Sequence, residues 1–170
     1  NGASNQNAVV SNNYIQIQAA NHYAHDRDIT GLTAHDSVIE EDTLFVNNSG
    51  HDQSTTGIVG DRSMIRNNVV DLSDSNLGAN RVGRAITSSG NQTTRVEISG
   101  KQITARHYTY AIQSSYADIT NNIITGIVHG YGGYGDISCG TSGIDVSGDG
   151  VILISGNTIN DMCRAIQNNN

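Results

Sequence analysis

Ile119-Thr-Asn-Asn-Ile-Ile124 decides the reading of this chain. It holds an apolar residue, a polar turn rich in Asn, and a second apolar residue five positions after the first. The arrangement recurs as Val10-Ser-Asn-Asn-Tyr-Ile15, Ile39-Glu-Glu-Asp-Thr-Leu44, Ile65-Arg-Asn-Asn-Val-Val70, Ile98-Ser-Gly-Lys-Gln-Ile103 and Ile154-Ser-Gly-Asn-Thr-Ile159. The first apolar positions are 29, 26, 33, 21 and 35 residues apart. A period of roughly 20–50 residues marks a stacked solenoid, in which each repeat buries its apolar face only against its neighbours.

A second signature precedes the first: Gly31-Leu32, Gly57-Ile58, Ala85-Ile86, Ala111-Ile112, Gly143-Ile144 and Ala165-Ile166 pair a small residue with an aliphatic one. Each repeat therefore reads as three short strands: one at this pair, one ending at the first apolar residue of the turn motif, and one starting after the turn. Apolar residues never keep helical spacing for long. In Thr94-Arg95-Val96-Glu97-Ile98 they alternate instead, as in a strand with one buried face.

The Asn-rich turns have a mechanical reason. A sharp turn between strands needs a residue at positive φ, which Asn tolerates best among residues with a side chain. The second residue after the first apolar one is Asn12, Glu41, Asn67, Gly100, Asn121 or Gly156, and the third is Asn13, Asp42, Asn68, Lys101, Asn122 or Asn157. Stacked coil on coil, such side chains can hydrogen-bond along the axis as amide ladders.

Gly/Ala-Ile followed by Ile-Ser-x-Asn-x-Ile resembles the repeat of the right-handed parallel β-helix superfamily, which includes pectate-lyase-like enzymes, mannuronan epimerases, chondroitin and alginate lyases and phage tailspikes. The resemblance covers about residues 8–168. It implies an all-β solenoid of about six coils with three short strands per coil. It also implies an extracellular or cell-surface protein, secreted or carried on a virion. It says nothing specific about activity, because the repeat residues build the scaffold.

The bulk composition agrees with a solenoid. The 170 residues suit a single domain and are 36% apolar, with one Phe, no Trp and no Pro. A compact two-layer globule would be poorly supplied, whereas each coil of a β-helix needs only a thin apolar layer. The net charge of −7, with Lys101 the single lysine, argues against nonspecific nucleic-acid binding. No apolar run is long enough for a membrane helix. Val10 and Ile166 lie close to the two ends, so we expect these residues to be part of a longer polypeptide, or to stack on a partner such as a homotrimer. Cys139 and Cys163 fall one coil apart and read equally well as a disulfide between coils or as two buried thiols.

The candidate chemistry lies between the turn motif and the next small-aliphatic pair, in segments 16–30, 45–56, 71–84, 104–110 and 125–142. They hold His22, His25, His51, His107 and His129, leaving only His35 outside, and also Tyr23, Tyr108, Tyr110, Tyr131 and Tyr134. Repeats in register would send these segments out at one corner, where they would form a wall beside a strand face and suit an extended polymer. On that face the column Thr33, Val59, Thr87, Gln113, Asp145 and Gln167 would point outward. The small column Gly31, Gly57, Ala85, Ala111, Gly143 and Ala165 reads either as space for a ligand or as relief for a tight bend.

Two adjacent coils are richest: Arg106-His107-Tyr108-Thr109-Tyr110, read as a compact loop, and His129-Gly-Tyr131-Gly-Gly-Tyr134-Gly-Asp136. Elimination or epimerisation of a uronate needs its carboxylate neutralised, a base for the C–H proton, and an acid. Arg106 suits the first role, with His107 or His129 and Tyr108 or Tyr131 as base and acid. Asp145 completes the catalytic set, while Tyr110, Gln113, Tyr131, Tyr134 and Gln167 would bind substrate. The resemblance implies Tyr/His/Arg/Asp sets of this kind, although the Asp-Pro-His motif of the epimerases is absent. A calcium site would draw on Asp136, Asp145 and Asp149. Hydrolysis would need Asp145 paired with Asp136 or Asp118. His22 and His25 near Asp26 and Asp28 have metal-ligand spacing that surface loops also reach easily.

Two functions follow as expectations. One is a polysaccharide lyase or uronate epimerase acting on an acidic glycan. The other is a non-catalytic or hydrolytic glycan-binding shaft such as a phage tailspike or adhesin.

Overall fold

The computed structural model describes residues 4–19, 28–48, 54–72, 83–106, 109–127, 142–147 and 152–169. Its strands, numbered in chain order, fall into three parallel sheets. Sheet A stacks β1 (Ser4–Gln6), β4 (Ile29–His35), β7 (Thr55–Asp61), β10 (Gly83–Ser89), β13 (Thr109–Ser115), β16 (Ser142–Ser147) and β19 (Arg164–Asn168). Sheet B stacks β2 (Val9–Ser11), β5 (Val38–Glu40), β8 (Met64–Arg66), β11 (Val96–Ser99), β14 (Ala117–Thr120) and β17 (Leu153–Ser155). Sheet C stacks β3 (Tyr14–Ala19), β6 (Thr43–Asn48), β9 (Val69–Leu72), β12 (Gln102–Arg106), β15 (Ile123–Ile127) and β18 (Thr158–Asn160). The chain runs A, B, C and returns to A one layer on, giving a three-sided parallel β-solenoid of about six coils.

The apolar columns of the repeats meet in register. Val10, Ile39, Ile65, Ile98, Ile119 and Ile154 pair across sheet B. Ile15, Leu44, Val70, Ile103, Ile124 and Ile159 do so across sheet C. Leu32, Ile58, Ile86, Ile112, Ile144 and Ile166 form the third column, on sheet A. In the middle coils these side chains are fully buried and pack into one continuous core. Ile166, in the last described coil, is 51% exposed.

The two Asn columns divide the work of the B-to-C corner. The second residue supplies the positive φ in every coil: Asn12 (59°), Glu41 (58°), Asn67 (54°), Gly100 (65°), Asn121 (56°) and Gly156 (65°). The third residue turns inward and builds the ladder. Asn13 N–H donates to Asp42 Oδ1 at 2.8 Å, Asp42 N–H to Asn68 Oδ1 at 2.8 Å, Lys101 N–H to Asn122 Oδ1 at 3.1 Å, and Asn122 N–H to Asn157 Oδ1 at 2.9 Å. These bonds satisfy backbone donors that the turn would otherwise bury unpaired.

The A-to-B corner uses the same device with other residues. Asn7, Asp36, Arg62 and Tyr116 have φ between 50° and 53°. Beneath them Ser37 and Ser63 replace the amides: Ala8 N–H donates to Ser37 Oγ and Ser37 N–H to Ser63 Oγ, both at 3.1 Å. The longer spacing between Ile86 and Ile98 is taken up by a turn in which Asn91 Oδ1 accepts from the N–H groups of Thr93 and Thr94. Cys163 is disulfide-bonded. The chain has one other cysteine, Cys139, which lies outside the described residues.

Candidate functional site

Sheet A contains a kink that sets the face of each residue. In β13 both Ala111 and Ile112 are fully buried, whereas Tyr110 and Gln113 on either side are half exposed. Two successive inward residues break the alternation of a flat strand. The small column therefore points into the core, and the reading of it as an open ligand floor is corrected. A Cβ on Gly57 would lie 2.5 Å from Ala85 O and 2.7 Å from Val70 Cγ1, and one on Gly143 would lie 2.8 Å from Ile159 Cγ2. Small residues are needed because aliphatic side chains of sheet C fill that space.

The polar column does point outward. Thr33, Val59, Thr87, Gln113, Asp145 and Gln167 pair residue for residue along sheet A. Three of the residues expected in the site thus stand side by side in consecutive coils. Asp145 is central and buried. Its Oδ2 accepts from Gln113 Nε2 at 3.0 Å and its Oδ1 from Asn169 Nδ2 at 2.5 Å. Gln113 Oε1 accepts in turn from Arg84 Nε at 2.6 Å. At the other end Gln167 Nε2 donates to Asn169 Oδ1 at 2.7 Å and Gln167 Oε1 accepts from Arg164 Nη1 at 2.9 Å. The result is one hydrogen-bonded strip across four coils, with a guanidinium at each end and a single carboxylate between them.

The flanking column of sheet A is Thr30, Thr56, Arg84, Tyr110, Ser142 and Arg164, again in register. Tyr110 therefore lies between Arg84 and Ser142 on the face that carries Gln113. Arg106 and Tyr110 were expected in one compact loop. Instead Arg106 is the last residue of β12 and Tyr110 the second of β13, because both strands extend the parallel pairing beyond the motif residues. His107, Tyr108, His129, Tyr131, Tyr134, Asp136 and Asp149 lie outside the described residues, as do His22 and His25. The described strands on either side of these residues, β12 and β15 in sheet C and β13 and β16 in sheet A, pair in register.

Asp118 is removed as a partner for Asp145. It belongs to β14 in sheet B, where it forms an ion pair with Arg95 on a different side of the solenoid. Among the described residues no group of three or more His, Cys, Asp or Glu side chains forms a metal cluster. Arg84, Arg164 and Asn169 were missed by the sequence reading. Arg84 and Arg164 lie two residues before a core aliphatic, outside the columns that the repeat makes visible, and Asn169 follows the last strand.

No protein-family model, curated protein or solved structure matches this chain.

Proposed function

We propose that this chain is an extracellular, carbohydrate-directed β-helix domain, of the kind seen in pectate-lyase-like proteins, that acts on an acidic polysaccharide as a lyase or uronate epimerase. One observation supports the reading: Gln113, Asp145 and Gln167 stand in register along sheet A, and His107, Tyr108, His129, Tyr131 and Tyr134 fall in the sequence between strands of sheet C and sheet A. Amides and a carboxylate on a flat face bond sugar hydroxyls, and aromatic rings beside them stack on sugar faces. Arg106 neutralises the uronate carboxylate, His107 or His129 removes the C5 proton, and Tyr108 or Tyr131 gives a proton, to the departing C4 oxygen as the C4–O bond breaks in a lyase or to the opposite face of C5 in an epimerase. Tyr110 and Tyr134 position the chain. If calcium takes part, Asp136 and Asp149 supply its carboxylates.

Incubation with alginate and polygalacturonate tests this. A lyase produces unsaturated ends that absorb in the ultraviolet, and an epimerase exchanges the C5 hydrogen with solvent deuterium. Either signal should vanish in His107→Ala and His129→Ala. Intact folding with neither signal overturns the catalytic reading.

A second reading, a non-catalytic glycan-binding shaft, is favoured by Asp145 itself. It is only 5% exposed and both of its oxygens hold amide hydrogens, which suits a fixed acceptor better than a proton carrier. In that case binding persists without product and weakens in Tyr131→Ala and Tyr134→Ala.

A further inference from the structure

The arginines divide sharply by their partners. Arg62 pairs with Asp36 through two bonds of 2.7 and 2.6 Å, Arg66 with Glu40 at 2.9 Å, and Arg95 with Asp118. Each is neutralised by a carboxylate on the neighbouring coil, and Arg62 holds the Asp36 carboxyl below its ordinary range. Arg84 and Arg164 differ. Among the described residues each bonds only a neutral glutamine carbonyl, Gln113 for Arg84 and Gln167 for Arg164. They share the Asp145 carboxylate at the middle of the strip, so the strip keeps a positive charge on a chain of net charge −7.

Both occupy one column of sheet A, three coils apart. Three parallel-strand steps of about 4.8 Å separate their backbones by roughly 14 Å. A guanidinium has five N–H donors in a planar fork. Among the described residues Arg84 uses Nε and Arg164 one Nη, which leaves each a pair of donors able to take a carboxylate or sulfate in bidentate fashion. The glutamines fix both forks in place before ligand arrives, which lowers the ordering cost of binding.

We infer that Arg84 and Arg164 form a two-point clamp for anionic groups spaced along a linear glycan that lies parallel to the solenoid axis, with the half-exposed Tyr110 beside its intervening sugars. The clamp rests on the acidic-polysaccharide reading and specifies it. The ligand carries carboxylates or sulfates on separated sugars, and a disaccharide is too short to reach both arginines.

Titration of the intact chain with oligouronates of defined length, from disaccharide to octasaccharide, tests this by calorimetry at two salt concentrations. In the wild type, affinity should step up once the oligomer spans both arginines. Arg84→Gln and Arg164→Gln should each lower octasaccharide affinity about tenfold and weaken its salt dependence, with the disaccharide little affected. Arg84→Lys keeps the charge without the fork and should recover only part of the loss, whereas Arg62→Gln should change nothing. Octasaccharide binding unchanged in both glutamine variants would overturn the clamp and leave the glycan reading standing. Failure of the wild type to bind any oligouronate would overturn both. Equal affinity for single-stranded DNA of matched charge would overturn the assignment to a glycan.

Discussion

Asp42 and Lys101 stand two coils apart in the same inward column, with Asn68 between them. Both are buried, and among the described residues neither Asp42 Oδ2 nor Lys101 Nζ finds a hydrogen-bond partner. Lysine carries no acceptor, so the ladder stops there: Asn68 N–H has no side-chain carbonyl at position 101 to bond. Burial lowers the Lys101 pKa to about 6, opposed by the Asp42 and Glu97 charges and assisted by Arg66.

Lys101→Asn should rebuild the missing rung and stabilise the solenoid by about 2–4 kcal/mol. Its Oδ1 would accept Asn68 N–H. Its Nδ2 would reach Ile65 O, as Asn122 Nδ2 reaches Ile98 O at 3.2 Å and Asn157 Nδ2 reaches Ile119 O at 2.9 Å. Urea denaturation checks the prediction, and a lower midpoint than wild type would refute it.

The same lysine sets a pH dependence. Its folded pKa lies below its unfolded value of 10.5, so the unfolded chain binds the proton more readily. Its contribution to stability therefore rises as pH increases from about 6 to 10.5 and is flat below 6. At about 1.4 kcal/mol per unit, the destabilisation below pH 6 is on the order of several kcal/mol. Lys101→Met should remove this slope from the difference between the two melting curves. A slope identical in wild type and variant would show that the proton sits elsewhere.

Asn122 is the converse case. Fully buried, it accepts Lys101 N–H and donates from Nδ2 to Ile98 O and Asn157 Oδ1. Asn122→Ala would take the side-chain partner from two buried backbone groups of the preceding coil, Lys101 N–H and Ile98 O, at a cost of about 2–4 kcal/mol. Hydrogen exchange at the Lys101 amide should accelerate with the loss of global stability. A variant as stable as wild type would mean that water replaces the rung.

What was legible in the sequence was whatever repeated with a single chemical need. Ile39, Ile65 and Ile98 fill the same core position, and Asn12, Asn67 and Asn121 serve the same turn, so their spacing exposed the coils and their register. The A-to-B corner was hidden because Asn7, Asp36, Arg62 and Tyr116 reach the same positive φ with four different side chains. The small column was visible but its direction was not. Strict alternation sends Ala111 outward, and only the kink beside Ile112 turns it in. In the candidate site, Gln113, Asp145 and Gln167 were found because they flank a repeating aliphatic. Asn169 could not be found in this way, because its bond to Asp145 depends on how the chain leaves β19.

Glu41 is the one position of the positive-φ column at the B-to-C corner occupied by neither Asn nor Gly, at φ 58°. A left-handed conformation costs an ordinary L-residue about 1–2 kcal/mol, which glycine avoids. Glu41 is exposed. Glu41→Gly should therefore stabilise by about 0.5–1 kcal/mol, whereas Asn121→Val, with a β-branched residue at φ 56°, should destabilise by at least as much. Equal melting temperatures for Asn121→Val and wild type would show that the corner relaxes out of this conformation.

Gly57→Ala tests the corrected direction of the small column. If that column lined an outer groove, an added methyl would meet solvent and be harmless. Pointing inward, it meets Ala85 O at 2.5 Å and Val70 Cγ1 at 2.7 Å, the first of which is backbone and cannot move without disturbing β10. Overpacking of this kind costs about 1–3 kcal/mol. The loss should be partly recovered by Val70→Ala in the same molecule, because that change removes the side-chain half of the clash, although the smaller residue also weakens the core. Double-mutant denaturation separates the two effects. A strictly additive cycle would mean that the methyl and Val70 do not meet, and a neutral Gly57→Ala would place the column back on the surface.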